Sequence, residues 1–347
     1  PDIAMEVDLI EEIARIEGYD KIPTADRNLG SLFTPEHSDD LFRQSAKETI
    51  TAQGFDEIYG SGLADPRLLS KIIGEKKQLK ILNPIAEDLS VMQGTLLYSL
   101  LRAISHNLSR RNLDMRLFEI GKSFIPPNDI SGELRNLQEV EEIGIILSGK
   151  SDDEWYGRGR PHDFYELKGV IDNLLEANRI SAIKYISTGL SAFADGYAFQ
   201  LMLNNAMIGY AGEVLPSIAR AFDIKQPVFA AILNFEELIK NQQPEKLYES
   251  LPRFPAAPRD LSIIVDESIK VGDILEAIRK TGGSLLEKVK LFDLYKGSQI
   301  GERKKSLAFS ITYRSSERSL EGGEVIELHN KISDCLVKRF KAEVREG

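Results

Sequence analysis

The sequence predicts an α+β fold in two parts: a large domain rich in antiparallel sheet, then a smaller domain of ferredoxin-like βαββαβ order. Three observations carry this. Between residues 55 and 175, strand-like and helix-like periodicities mix without the regular alternation of a parallel sheet. The stretch YAFQLMLNNAMIGYAGEV reads as a hairpin, with Asn204-Asn205 able to supply its turn. A linker with four prolines, NQQPEKLYESLPRFPAAPRD, marks a boundary near 243–258, and the six elements of the C-terminal pattern follow it.

Taken in order, Leu9, Ile10, Ile13 and Ile16 share one face of a helix over 9–16, with Gly18 as its stop. YDKIPTADRNLGSLFTP reads as a linker. An amphipathic helix follows near 39–53 and ends at Gly54. DEIYGSGL, MRLFEIGKSF and EIGIILSG read as strands, and 95–110 and 164–176 as helices. VFAAILNFEELI adds a buried strand after the hairpin. In the C-terminal part the order is strand 261–265, helix 271–280, strands 287–295 and 306–314 around the basic loop KGSQIGERKK, helix 323–340 and the short strand AEVR.

At 347 residues the length suggests two to three domains. No apolar run approaches the roughly 18 residues needed to span a bilayer. The single Cys335 lies in a helical pattern and reads as a small buried apolar residue, so there is no disulfide framework or CxxC knuckle. This fits a reducing, cytoplasmic compartment. The net charge of −10 argues against a wholly nucleic-acid-binding surface, but the charge is uneven. Residues 253–347 carry 18 basic against 15 acidic side chains, whereas residues 1–252 carry 26 against 39.

Five of the first twelve residues are carboxylates. Asp8 and Glu11 have capping-box spacing with Asp8 at the cap, and acids near a helix start offset its dipole. The same residues admit a metal reading. Asp8, Glu11 and Glu12 lie within one turn and Asp2 precedes them, and an all-oxygen donor set suits a hard ion such as Mg²⁺. The residues alone leave both open. The four histidines are scattered without ligand spacing, which argues against zinc, and no GxSxG or phosphate loop is present. WYGRGRPHDF reads as a loop carrying Trp155, Arg158, Arg160 and His162.

In the C-terminal part, alternation places Leu307, Phe309, Ile311 and Tyr313 on a core face. The opposite face carries Ala308, Ser310, Thr312 and Arg314, with Lys290 and Phe292 from the neighbouring strand. Basic groups beside an aromatic on an open sheet suit a single-stranded RNA loop, and Arg303, Lys304 and Lys305 add cations. Each feature taken separately is also an ordinary solvated surface.

PDIAMEVDLIEEIARIEGYDKIP closely resembles the end of the B5 domain in the β subunit of bacterial phenylalanyl–tRNA ligase. The resemblance continues through GFDEIYGSGL, LNPIAEDLSVMQGTLLYSLLRAISHNLSRRNLDMRLFEIGKSF, HDFYELKGVIDNLL and RFPAAPRDLSIIVDESI, covering essentially the whole chain. It implies a C-terminal portion of that subunit: 1–23 the tail of B5, 24–250 a class II synthetase catalytic-like domain, and 253–347 a ferredoxin-fold anticodon-binding domain. The family's D-x5-D-x2-E-E metal pattern falls on Asp2, Asp8, Glu11 and Glu12, implying a Mg²⁺ site shared with the α subunit. MRLFEIG resembles a motif 2 strand, yet no motif 3 arginine follows, since GYAGEVLP has none at the needed place. The resemblance therefore implies that ATP is used by the α2β2 holoenzyme, in α, while this chain scaffolds α and binds tRNA(Phe). From the residues, Arg116 and Glu119 read as an ion pair on a strand. Two rivals are a stand-alone Mg²⁺-dependent phosphotransferase and a free RNA-binding adaptor.

Overall fold

The computed structural model describes residues 3–24, 37–75, 78–126, 137–151, 155, 157–244, 247–248 and 250–345. The chain divides into two compact units, Pro1–Glu245 and Lys246–Gly347.

The first unit begins with α1 (Glu6–Glu17), α2 (Ser38–Thr51), β1 (Asp56–Glu57), β2 (Leu63–Ala64), α3 (Pro66–Ile73), β3 (Leu79–Lys80), β4 (Val91–Met92) and α4 (Leu96–Leu108). It continues with β5 (Met115–Ile125), β6 (Gln138–Ser148), α5 (Phe164–Ala177), β7 (Lys184–Ser187), β8 (Phe193–Leu203), β9 (Ala206–Val214), α6 (Pro216–Ala221), β10 (Val228–Asn234) and α7 (Phe235–Lys240). Seven strands form one sheet in the order β1-β5-β6-β10-β9-β8-β7. Only β1 runs parallel to its neighbour, and every other pair is antiparallel. The β8–β9 hairpin turns at Asn204 and Asn205, with φ of 49° and 65°, the left-handed pair that a two-residue turn of matching twist needs. Asparagine tolerates that region better than most residues, which made the turn legible.

Strand alternation gives this sheet two buried faces. Phe118 and Ile120 of β5, with Ile143, Ile145 and Leu147 of β6, pack under α2 and α5. Met115, Leu117 and Ile146 pack on the other side against Leu96, Leu97, Leu100, Leu101 and Ile104 of α4. Gly144 lets α4 lie close to the sheet: a Cβ there would meet Leu100 Cδ1 at 2.6 Å.

The second unit contains β11 (Ala257–Asp266), α8 (Val271–Gly282), β12 (Leu286–Tyr295), β13 (Lys304–Tyr313), α9 (Gly322–Phe340) and β14 (Glu343–Arg345). Its antiparallel sheet has the order β12-β13-β11-β14. Leu307, Phe309, Ile311 and Tyr313 are fully buried and share one core with Ile274 and Ile278 of α8 and Ile332 and Leu336 of α9. With both helices on that side, the sheet's other face is uncovered by its own unit. Cys335 on α9 is only half-buried, so it is not the enclosed residue the pattern suggested. No helix among the described residues is long and apolar enough to cross a membrane.

Candidate functional site

Helix α1 starts three residues earlier than the capping pattern suggested. Met5 holds the N-cap position, and Asp8 is the third helical residue. Its Oδ2 accepts the N–H groups of Ala4 and Met5, each at 2.8 Å, so Asp8 reaches back to the helix start. Those two donors hold its pKa below the ordinary carboxylate range. Glu12 is drawn into an ion pair with Arg15, and Glu11 is exposed. Asp2 lies outside the described residues. Among the described residues no three metal-ligating side chains converge. Thus Asp8, Glu11 and Glu12 are suitable oxygen donors on one turn, but they do not by themselves form a closed cation shell. Helix α1 buries no residue, and Val7, Leu9, Ile10, Ile13 and Ile16 are each more than half exposed.

Arg116 and Glu119, expected to pair, do not. Three residues apart in β5, they project to opposite faces. On the α5 side, Arg116 ion-pairs with Glu166 and donates from Nη1 to the Gln53 carbonyl oxygen at 3.1 Å. Glu166 also meets Nδ1 of buried His162 at 2.8 Å. On the α4 side, Glu119 is 3% exposed and accepts the Gly60 N–H at 2.9 Å and the Ser99 hydroxyl. Burial raises its pKa. Nearby, Glu142 accepts the Leu96 N–H at 3.1 Å, and burial pushes its pKa to about 7. Of the loop residues, Trp155 is 94% exposed, and Arg158 and Arg160 are exposed.

The uncovered sheet face of the second unit follows from strand register, since directly opposed residues of an antiparallel pair point the same way. Ser310 stands between Lys290 and Asp260, and Ala308 between Asp293 and Ser262, which in turn opposes Arg345. Lys288 opposes Thr312, and Tyr295 opposes Ser306. A register shift between Leu291 and Asp293 leaves Phe292 as the extra, bulged residue, 54% exposed. The face is therefore mixed, with Lys288, Lys290 and Arg345 set among Asp260 and Asp293. Lys288 and Tyr295 were absent from the expected set, although the period of two from Lys290 would have found Lys288.

The remaining cations divide. Arg303 is exposed, at φ 58°. Lys304 ion-pairs with Glu343. Arg314 donates from Nε to Glu287 and from Nη1 to the Phe254 carbonyl oxygen, both at 3.0 Å, so it serves as a brace within the unit. Lys305 differs most from expectation. It is 7% exposed, and its ammonium group donates to the carbonyl oxygens of Glu267, at 2.9 Å, and Ile269. Burial lowers its pKa, and Lys296 adds to that. A group so enclosed is not placed to meet a phosphate.

Two family models cover most of the chain. Residues 23–235 match the phenylalanyl tRNA synthetase beta chain CLM domain, and residues 252–345 match the ferredoxin-fold anticodon binding domain. The chain is 36% identical to the phenylalanine–tRNA ligase beta subunit of Clostridium tetani and 33% identical to that of Syntrophotalea carbinolica. Each match covers 99% of this chain, but only 42% and 43% of the relatives. The chain thus spans about two fifths of the curated relatives it matches, within their C-terminal part. Among solved structures, it is similar to pyrrolysyl-tRNA synthetase from Desulfitobacterium hafniense, with a TM-score of 0.46 and 15% identity over 62% of this chain and 74% of that one. The matched domains and the curated relatives define a component of an aminoacyl-tRNA synthetase. The chain belongs to the phenylalanine–tRNA ligase β-subunit family.

Proposed function

We propose that this chain supplies the non-catalytic, tRNA-binding part of a phenylalanine–tRNA ligase β subunit and acts as a scaffold for a catalytic α subunit in an α2β2 assembly. The holoenzyme uses ATP to join phenylalanine to tRNA(Phe) in the cytoplasm. The observation that carries the reading is the second unit: a βαββαβ fold, matched to an anticodon-binding family, whose uncovered sheet face presents Lys288, Lys290 and Phe292. Cationic side chains contact the phosphate backbone, and a projecting aromatic ring stacks an unpaired base of the anticodon loop. Arg303 extends the cationic reach, while Lys304, Lys305 and Arg314 act through the unit's own structure.

The acids of the amino-terminal stretch supply this chain's share of a Mg²⁺ site. Asp2, Asp8, Glu11 and Glu12 would hold the ion, and it would supply charge neutralisation and rigidity where this chain meets α. The support is the all-oxygen donor set and the exposed apolar stripe beside it. Because the described donors do not converge, α and water complete the shell.

Mixing the chain with an α subunit and measuring the complex mass tests the scaffold reading. A mass of two α plus two β chains is expected. A chain that stays alone yet binds tRNA is instead a free RNA-binding adaptor.

A further inference from the structure

A cavity of about 190 Å³ opens in the first unit beside β2, β4 and the first turns of α4, away from the groups assigned above to tRNA or metal. An apolar cavity of about 150 Å³ accommodates benzene, so this one admits a molecule of several heavy atoms. Its lining, however, is polar and carries both signs of charge.

Several lining groups are already engaged. The Gly60 N–H and the Ser99 hydroxyl are turned onto Glu119. Asp65 is held by the Arg67 backbone N–H at 2.8 Å and by its guanidinium. Other groups are available. Gln93 is 3% exposed and donates from Nε2 to the Lys122 carbonyl oxygen at 3.0 Å. Its Oε1 is buried and accepts no hydrogen bond among the described residues. The Tyr98 oxygen accepts the Asp65 N–H at 2.9 Å, which leaves the hydroxyl proton to be donated. At the exposed rim, Asp88 and Arg102 line the same cavity, and neither forms an ion pair with a described residue.

A buried acceptor without a donor costs free energy until something donates to it. Two opposite charges facing one cavity without joining each other select a ligand that carries both. A simple cation would oppose Arg102, and a simple anion would oppose Asp88 and Asp65. We propose that this cavity binds a small zwitterion of the α-amino-acid class, its ammonium group serving Gln93 Oε1 and Asp88 and its carboxylate serving Arg102 and the Tyr98 hydroxyl. The site is independent of the tRNA-binding reading, since no residue of the second unit takes part.

The test is calorimetric titration of the intact protein with glycine, alanine and serine, beside methylamine and acetate as the two half-ligands. The zwitterions should bind at millimolar concentration or tighter, and each half-ligand about tenfold more weakly or worse. Arg102→Ala, at an exposed position, should leave the melting temperature unchanged and weaken zwitterion binding about tenfold or more. Gln93→Leu should do the same to binding, with its stability read separately. Absence of heat from every zwitterion at tens of millimolar overturns the proposal and leaves water as the donor to Gln93. So does zwitterion binding that Arg102→Ala leaves intact.

Discussion

The Lys305 ammonium group donates to the carbonyl oxygen of Glu267 at 2.9 Å, tying the start of β13 to the turn after β11. Its neighbour Lys304 lies on the other side of the strand, paired with Glu343 at the sheet edge. Two adjacent lysines in one basic loop sequence therefore have different work.

That difference gives a crossed prediction. Lys305→Ala leaves two carbonyl oxygens without their donor and should cost about 1–3 kcal/mol of unfolding free energy. The salt slope of tRNA binding should stay unchanged. Lys290→Ala should do the reverse, keeping stability and flattening the slope by about 0.7–0.9 log units per decade of salt. Denaturant unfolding and salt titrations of both variants check it. Equal slopes for Lys290→Ala and wild type would remove Lys290 from the interface.

Phe292 has little to stabilise, since it is bulged out of register and more than half exposed. Phe292→Ala should leave the melting temperature within a degree or two and cost about 1–3 kcal/mol of anticodon-arm affinity. Affinity equal to wild type would mean that no base stacks on this ring.

Glu142 predicts a pH dependence. Its folded pKa of about 7 lies above the unfolded value of 4.5 because burial penalises the charged form. Its contribution is therefore fully present below pH 4.5 and is lost as pH rises through 7. Glu142→Gln, which can still accept the Leu96 N–H, should be more stable than wild type at pH 8 by about 2–3 kcal/mol and near equal at pH 4.5. Denaturant unfolding at the two pH values measures this. A gap that does not widen with pH would place the ionised carboxylate in a solvated position.

His329 has the opposite sign. Its Nδ1 meets the Tyr313 hydroxyl at 3.0 Å, and burial with nearby Arg259 lowers its pKa below 6.5. The unfolded state then binds more protons, so the second unit should lose stability as pH falls below 6.5. His329→Gln should remove that part of the acid sensitivity, as read by pH-dependent unfolding. An unchanged pH profile would place the acid-sensitive group elsewhere.

The metal reading is tested through residues that do not cap the helix. Glu11→Gln with Glu12→Gln should lower Mg²⁺ affinity of the α-associated chain by about tenfold or more, since loss even of outer-shell partners costs that much. Asp8 is avoided because its loss also leaves the N–H groups of Ala4 and Met5 without their acceptor. Identical Mg²⁺ titrations would leave these acids as helix-start groups alone.

Much of this architecture was legible in the sequence because its signals are local. The Asn204-Asn205 turn follows from backbone conformation, and the buried row from Leu307 to Tyr313 from a period of two. The same period of two governs residues whose chemistry suggests otherwise. Lys305 shares its parity with Leu307 and so points to the core side, although its neighbours GERK look like a polar loop. Arg116 and Glu119 sit on opposite faces for the same reason. The partner of Arg116 is Glu166, fifty residues away, and only the packing of α5 on the sheet brings the two together. Asp8 looks like a cap in the sequence because the true cap position, Met5, has no capping side chain to announce it. The cavity at Gln93 is assembled from β2, β4 and α4, and no single stretch encodes it.

Anticodon-arm binding by the second unit is tested by a salt titration of the chain with the anticodon stem-loop of tRNA(Phe), beside a hairpin of equal length with a scrambled loop. The cognate loop should bind more tightly, and affinity should fall by about 0.7–0.9 log units per decade of salt for each phosphate neutralised. Equal affinity for the two hairpins, or no binding at low salt, would contradict it.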